Sequence, residues 1–404
     1  MRIAPTIIAI ASSGLLAVAA SAQTALPNGA AKDIVQSACS ACHQLNIVTN
    51  AGHTPDEWTR IVGEMVTKGA AVQANQVPSV TQYLASNFPP RARPQAPVLT
   101  GSVQASFKEW ALPTRAFPHD PYAAADGSLW YSGQFGNLLG RLDPATGQFK
   151  EYPLKTPGSG PHGLVGDRSG NIWFTANSHG YIGKLDPKTG QITEYKVPGG
   201  RDPHTPLFDQ QGILWFTVQG SNLIGRLDPA TGDVRTVPVP TQGALPYGMV
   251  ISSKGVPFFA EFGSNRLASI DPATLKISEY VLPNRNSQPR RIAITGDDVL
   301  WYGDYGRGYL GSYDPSTGKA REWKSPGGAD AEPYGITSLH DVIWYSESGV
   351  SPNTLVRFDP RTEKFQTWKI PSGGGVVRNM MPTRDGKLVL AESGENKIAL
   401  VELK

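Results

Sequence analysis

Apolar positions along this chain follow two periods. Up to residue 88 they recur at helical spacing, and beyond residue 104 they sit in short strands. An apolar run, Ile7 to Ala20, comes first and is short for a membrane span. Ala31 to Ala41 then reads as an amphipathic helix. Thr54-Pro55-Asp56-Glu57 has the make-up of a helix start, with Thr54 as N-cap, proline at the first position and acids in the first turn. Trp58, Ile61, Val62 and Met65 fall on one face of that helix, and Gly69 is a plausible stop. A third helix is expected from about Val77 to Phe88, carrying Val80, Tyr83 and Leu84. Pro89, Pro90, Pro94 and Pro97 mark residues 89–104 as an extended, semi-rigid linker.

From residue 105 the pattern repeats. Asp-Pro dipeptides begin at Asp143, Asp186, Asp228, Asp271, Asp314 and Asp359, at intervals of 43, 42, 43, 43 and 45 residues. An aromatic strand keeps step through Trp130, Trp173, Trp215, Phe258, Trp301 and Trp344, with Val389 in the seventh copy. Within one unit, residues 161–165, 172–175, 181–185 and 192–195 read as four strands, and Asp186-Pro187-Lys188-Thr189-Gly190 as a structural turn. Such a period with four strands per unit predicts propeller blades. Seven second strands give seven blades, but the last has only three strands after residue 375. A spare strand, Phe107 to Leu112, precedes blade one and is expected to complete blade seven, which removes an exposed sheet edge. The predicted fold is an all-β seven-bladed β-propeller over 105–404, with a small all-α domain over 23–88.

Composition narrows the function. The 44 glycines and 34 prolines exceed average usage without reaching low complexity, and the repeats use them as turn punctuation. A net charge of +3 with 18% charged residues makes no case for a nucleic-acid surface. Two cysteines exclude a disulfide scaffold.

Both cysteines fall in Cys39-Ser40-Ala41-Cys42-His43. This spacing puts two thiols on one turn, where they can form thioethers to a haem whose iron His43 ligates. A Cys39–Cys42 disulfide of the thiol-oxidoreductase kind is the alternative, but no βαβ pattern surrounds it. Met65 is the expected sixth ligand, with His53 as rival, and a packed core methionine as the bland reading. Trp58, Met65, Gly69 and Ala70 reproduce a Trp-x6-Met-x3-Gly-Ala pattern, by which the segment resembles small bacterial cytochrome c domains. Arg2, the apolar run and Ala20-Ser21-Ala22 fit a secretory signal peptide over 1–22, cut before Gln23. The expectation is an exported, periplasmic chain with one covalent haem c, no membrane span after cleavage and a redox partner protein.

The repeats also allow equivalent positions to be compared. The residue after the inner-strand proline is expected to face the central channel, and reads His119, His162, His204, Tyr247, Arg290, Tyr334 and Arg378. The matching position at the end of the second strand is expected to line the same channel, and reads Gly133, Ala176, Val218, Glu261, Asp304, Glu347 and Glu392. Three histidines on adjacent blades could bind a metal or exchange protons; a solvated polar channel is the alternative.

Leu214-Trp215-Phe216-Thr217, followed by Asn222-Leu223-Ile224-Gly225-Arg226-Leu227-Asp228, resembles the streptogramin B (virginiamycin B) lyases, a family of seven-bladed propellers. That family opens a cyclic ester by elimination with Mg²⁺. The resemblance implies a catalytic set of His162, Asp202, His204 and Tyr247, with Mg²⁺ or another divalent metal as cofactor. Three functions follow. The first is an electron-transferring haem protein whose propeller binds substrate or partner, or is itself catalytic. The others are a metal-dependent lyase or lactonase, and a non-catalytic acceptor docked to a dehydrogenase.

Overall fold

The computed structural model describes residues 26–40, 45–49, 51–67, 70–90, 92–95 and 98–404. The expected signal peptide, Cys42, His43 and Gly69 lie outside the described residues. The chain divides into two compact units, Met1–Arg91 and Ala92–Lys404. Among the described residues no helix is long and apolar enough to cross a membrane.

The first unit is helical. Its elements are α1 (Lys32–Ser40), α2 (Asn46–Thr49), α3 (Pro55–Thr67) and α4 (Val77–Asn87). Thr54 caps α3 reciprocally: its N–H donates to Glu57 Oε2 at 2.7 Å, and its hydroxyl accepts the Glu57 N–H at 3.3 Å. Trp58 and Val62 of α3 pack with Val35 of α1 and with Val80 and Leu84 of α4. The buried Trp58 indole donates to Phe88 O at 2.9 Å, so its one polar atom is satisfied.

The second unit is seven four-stranded antiparallel sheets. Blades one to six span 118–153, 161–196, 203–238, 246–281, 289–324 and 333–369. Blade seven combines Val377–Pro382, Leu388–Glu392 and Lys397–Leu403 with the early strand Ala105–Ala111. That strand lies antiparallel to the last one, from Ala105 opposite Leu403 to Ala111 opposite Lys397. The expected closure is therefore present. The innermost strand of each blade meets that of the next, and blade seven meets blade one.

The repeat residues explain the spacing of the blades. Trp130 packs with Ile172 and Phe174 of blade two, and Trp173 with Leu214 and Phe216 of blade three. Gly183 and Gly225 on third strands face those phenylalanines; a Cβ on either would stand 2.1 Å from the ring. Of the expected linker 89–104, described residues in the second unit are bonded to the propeller. Arg93 Nη1 donates to Ser348 O at 2.8 Å, Leu99 N–H to Thr367 Oγ1 at 2.8 Å, and Gln104 N–H to Lys404 O at 2.8 Å.

Candidate functional site at the propeller axis

Each innermost strand carries a register shift just after its first residue. In blade one Pro118 pairs with Gly133, but the next pair is Pro121 with Tyr131. The same break follows Pro161, Pro203, Pro246, Pro289, Pro333 and Val377. A bulge lets consecutive side chains leave the regular alternation. In blades one and five, two neighbours from one strand therefore reach the axis: His119 with Asp120, and Arg290 with Arg291.

The first of these positions builds a stack of planar groups around the axis. The rings of His119 and His162 have centroids 3.4 Å apart, His162 and His204 3.7 Å, and His204 and Tyr247 4.0 Å. The Arg290 guanidinium continues the stack, 5.0 Å from the Tyr247 ring and 3.7 Å from the Tyr334 ring. The Tyr247 and Tyr334 hydroxyls meet at 2.6 Å, and Arg290 Nη2 donates to Tyr334 Oη at 3.0 Å. Arg378 is half-buried, and its Nε donates to Ser393 Oγ at 3.1 Å.

The second position supplies groups the sequence reading overlooked. Asp120 and Arg291 are buried and cross the ring from blade one to blade five, with Nη2 2.5 Å from Oδ1. His119 Nδ1 lies 2.9 Å from the same Oδ1, and Asn379 stands beside the carboxylate. Gly163, Gly248 and Gly335 hold this position elsewhere, where a Cβ would strike the next blade's backbone at 2.4, 2.7 and 3.0 Å. Burial pushes Asp120 upward, against the pull of Arg291 and His204. Burial, with the Arg291 charge, pushes His204 well below the usual histidine value, so its imidazole is neutral.

Hydroxyls on second strands fix these inner strands. Thr175 Oγ1 accepts the Gly163 N–H at 2.9 Å and donates to His204 O at 2.7 Å. Thr217 Oγ1 accepts the Thr205 N–H at 3.1 Å and donates to Tyr247 O at 2.8 Å. Ser132 likewise joins Asp120 N to His162 O. One side chain thus satisfies a bulge in its own blade and positions the axial residue of the next.

Other expected site residues lie elsewhere. Asp202 accepts from the N–H groups of Gly220 and Ser221 and from the Ser221 hydroxyl, so it caps a turn and does not join His204. The channel-facing carboxylates are also placed differently. Glu347 bonds Ser325, Gly327 and Thr354, and Asp304 bonds Gln288 N and Arg307. Glu261 bonds Ser264, and Glu392 bonds Ser372. Among the described residues none of the four is bonded to the axial histidines, tyrosines or arginines. Each is opposite the first residue of the inner strand, outside the bulge.

His119, Asp120 and His162 bring donor atoms within 4.8 Å of one another. Two imidazole nitrogens and a carboxylate already bonded to Arg291 do not suit Mg²⁺, which takes oxygen ligands. Among the described residues this donor set therefore does not match magnesium, and its imidazoles suit a nitrogen-binding divalent metal better.

In the helical unit, Cys39 lies in the last turn of α1, half-buried against the apolar core, and burial raises its thiol above the usual range. Met65 is half-buried on α3. His53 stands edge-on to the Trp58 ring at 4.8 Å, with Nδ1 3.8 Å from Glu57 Oε2.

Comparison with known families gives a match to the virginiamycin B lyase family model over residues 98–346, more than half of the chain. The chain belongs to the virginiamycin B lyase family. A streptogramin B lyase structure is 27% identical, covering 74% of this chain and 98% of its own, with a TM-score of 0.68. The Staphylococcus aureus virginiamycin B lyase is 25% identical over 74% of this chain and 99% of its own, at 0.67. Hydrazine synthase of Kuenenia stuttgartiensis, 16% identical, shares the fold over 70% of this chain and 95% of its own, at 0.60. No curated protein matches. Residues 1–97 precede the matched region and include the Cys39–His43 motif.

Proposed function

We propose that this family member is an exported, periplasmic c-type haem protein. Its helical unit transfers electrons, and its propeller binds a small molecule or a partner. The observation that carries the reading is the C-x-x-C-H spacing at Cys39–His43, with Cys39 at a helix end against an apolar cluster. Cys39 and Cys42 would hold haem c covalently, and His43 with Met65 would be its axial ligands. When bound, the haem supplies one-electron exchange, and thioether ligation raises its potential. His53 is engaged by Trp58 and Glu57, which favours Met65 as the ligand. The redox partner would be a periplasmic dehydrogenase or another cytochrome.

The test is a pyridine haemochrome spectrum of chain matured in a host that attaches haem c. A reducible c-type band, lost in Cys39→Ala, is expected; correctly exported wild-type chain without the band overturns the reading. Met65→Ala should lower the reduction potential, and His53→Ala should leave it in place.

A second reading rests on family membership and on the contact of His162, His204 and Tyr247. His204 is held neutral and could accept a substrate α-proton. Opening of a cyclic ester, lost in His204→Ala but kept in Cys39→Ala, would support a lyase. Absence of turnover with intact haem would exclude it.

A further inference from the structure

The axis holds more cationic donors than the fold itself uses. Arg290, Arg291 and Arg378 converge there from blades five and seven. Among the described residues Asp120 is the one carboxylate bonded to them, and it meets Arg291 alone. Arg290 and Arg291 each keep a buried Nε–H without an acceptor. Arg291 is 4% exposed, so bulk solvent does not reach it. Among the described residues the only bond of Arg378 is from Nε to Ser393, which leaves both its terminal nitrogens available. Glu332, at the rim, accepts from the Tyr305 hydroxyl at 3.0 Å and among the described residues is bonded to none of the three arginines.

Arg291 has its counter-charge in Asp120, whereas the half-buried Arg290 and Arg378 are bonded to no carboxylate among the described residues, and a partly desolvated cation without a counter-charge is costly. The surroundings also favour a particular shape. Arg290 is walled by the rings of Tyr305, Tyr247 and Phe262 at 4.3, 5.0 and 5.0 Å. Arg290 and Arg378 are half-buried, so one side of the cluster can be reached. We propose that the mouth of the propeller above Arg290 and Arg378 is a binding site for a small organic carboxylate with a flat apolar body. The carboxylate would take the terminal nitrogens of Arg378 and the spare donors of Arg290, and the body would lie on the aromatic wall. Planar guanidinium groups suit bidentate carboxylate recognition. The same charge excess acts on Tyr334: burial opposes its ionisation, but Arg290, Arg378 and Arg291 outweigh burial and hold the phenol below its ordinary value.

The inference is independent of the haem reading, since chain with and without haem should bind alike. Isothermal titration of the full chain with benzoate, acetate and phosphate at fixed ionic strength tests it. One benzoate per chain is expected, held more tightly than acetate or phosphate. Arg378→Gln, at the half-exposed rim, should weaken benzoate roughly tenfold or more. Arg378→Lys should recover part of the loss, and the exposed Arg235→Gln should change nothing. Thermal melting of each variant separates lost binding from lost folding. No saturable binding of benzoate, or equal binding by Arg378→Gln and wild type, would overturn the proposal; so would tighter binding of phosphate than of benzoate.

Discussion

At the residue scale, single hydroxyls fix the axis and single buried carboxyls set the response to pH. Thr217 serves a bulge N–H in its own blade and the Tyr247 carbonyl in the next. Thr217→Val keeps the shape but strands both groups, and should cost about 2 kcal/mol in chemical denaturation. The loss should fall on blades three and four, where Tyr247 is held. Glu392 acts through charge. Burial pushes its carboxyl up to about 7, the Ser372 hydroxyl pulling against this and Glu109 adding to it. Unfolded glutamate titrates near ~4.3. Between these values the folded chain keeps a proton that the unfolded chain has released, so rising pH lowers stability in that window. Glu392→Gln should therefore raise the melting temperature at pH 8 by a few degrees and leave it unchanged at pH 4.

At the element scale, the repeat is legible because each strand must solve the same packing problem. Third-strand glycines make room for second-strand rings; Gly225→Ala would press on Phe216 and should destabilise by about 1–3 kcal/mol, measured by denaturant titration. The closing strand is legible as well, since Phe107 and Trp110 repeat the apolar-x-x-aromatic spacing of Phe149 and Tyr152 in the fourth strand of blade one. Deleting residues 105–111 would uncover the whole length of Lys397–Leu403 as a sheet edge. A lower melting temperature and concentration-dependent light scattering are expected. The bulge was not legible. Sequence periodicity assumes regular alternation, which sends one residue per inner strand to the axis and hides Asp120 and Arg291 beside their neighbours. Asp202 was misplaced for a related reason: closeness in sequence to His204 does not survive the turn it caps.

At the scale of the whole molecule, the two units have separate cores. Calorimetry should resolve two transitions, with Cys39→Ala moving one and Gly225→Ala the other. Common movement of both transitions in either variant would show a single cooperative unit. The sequence by itself determined three of the four described α-helices (all but Asn46–Thr49), the cap at Thr54, the number of blades and the strand that closes the ring. These are set by local chemistry and by a period repeated many times, so each copy corrects the reading of the next. Only the tertiary structure decided what meets at the axis. Asp120 and Arg291 are 171 residues apart in the chain and pair because seven separate inner strands converge. It also set the four carboxylates apart from the histidines, because one residue of register turns a side chain from the axis to a loop.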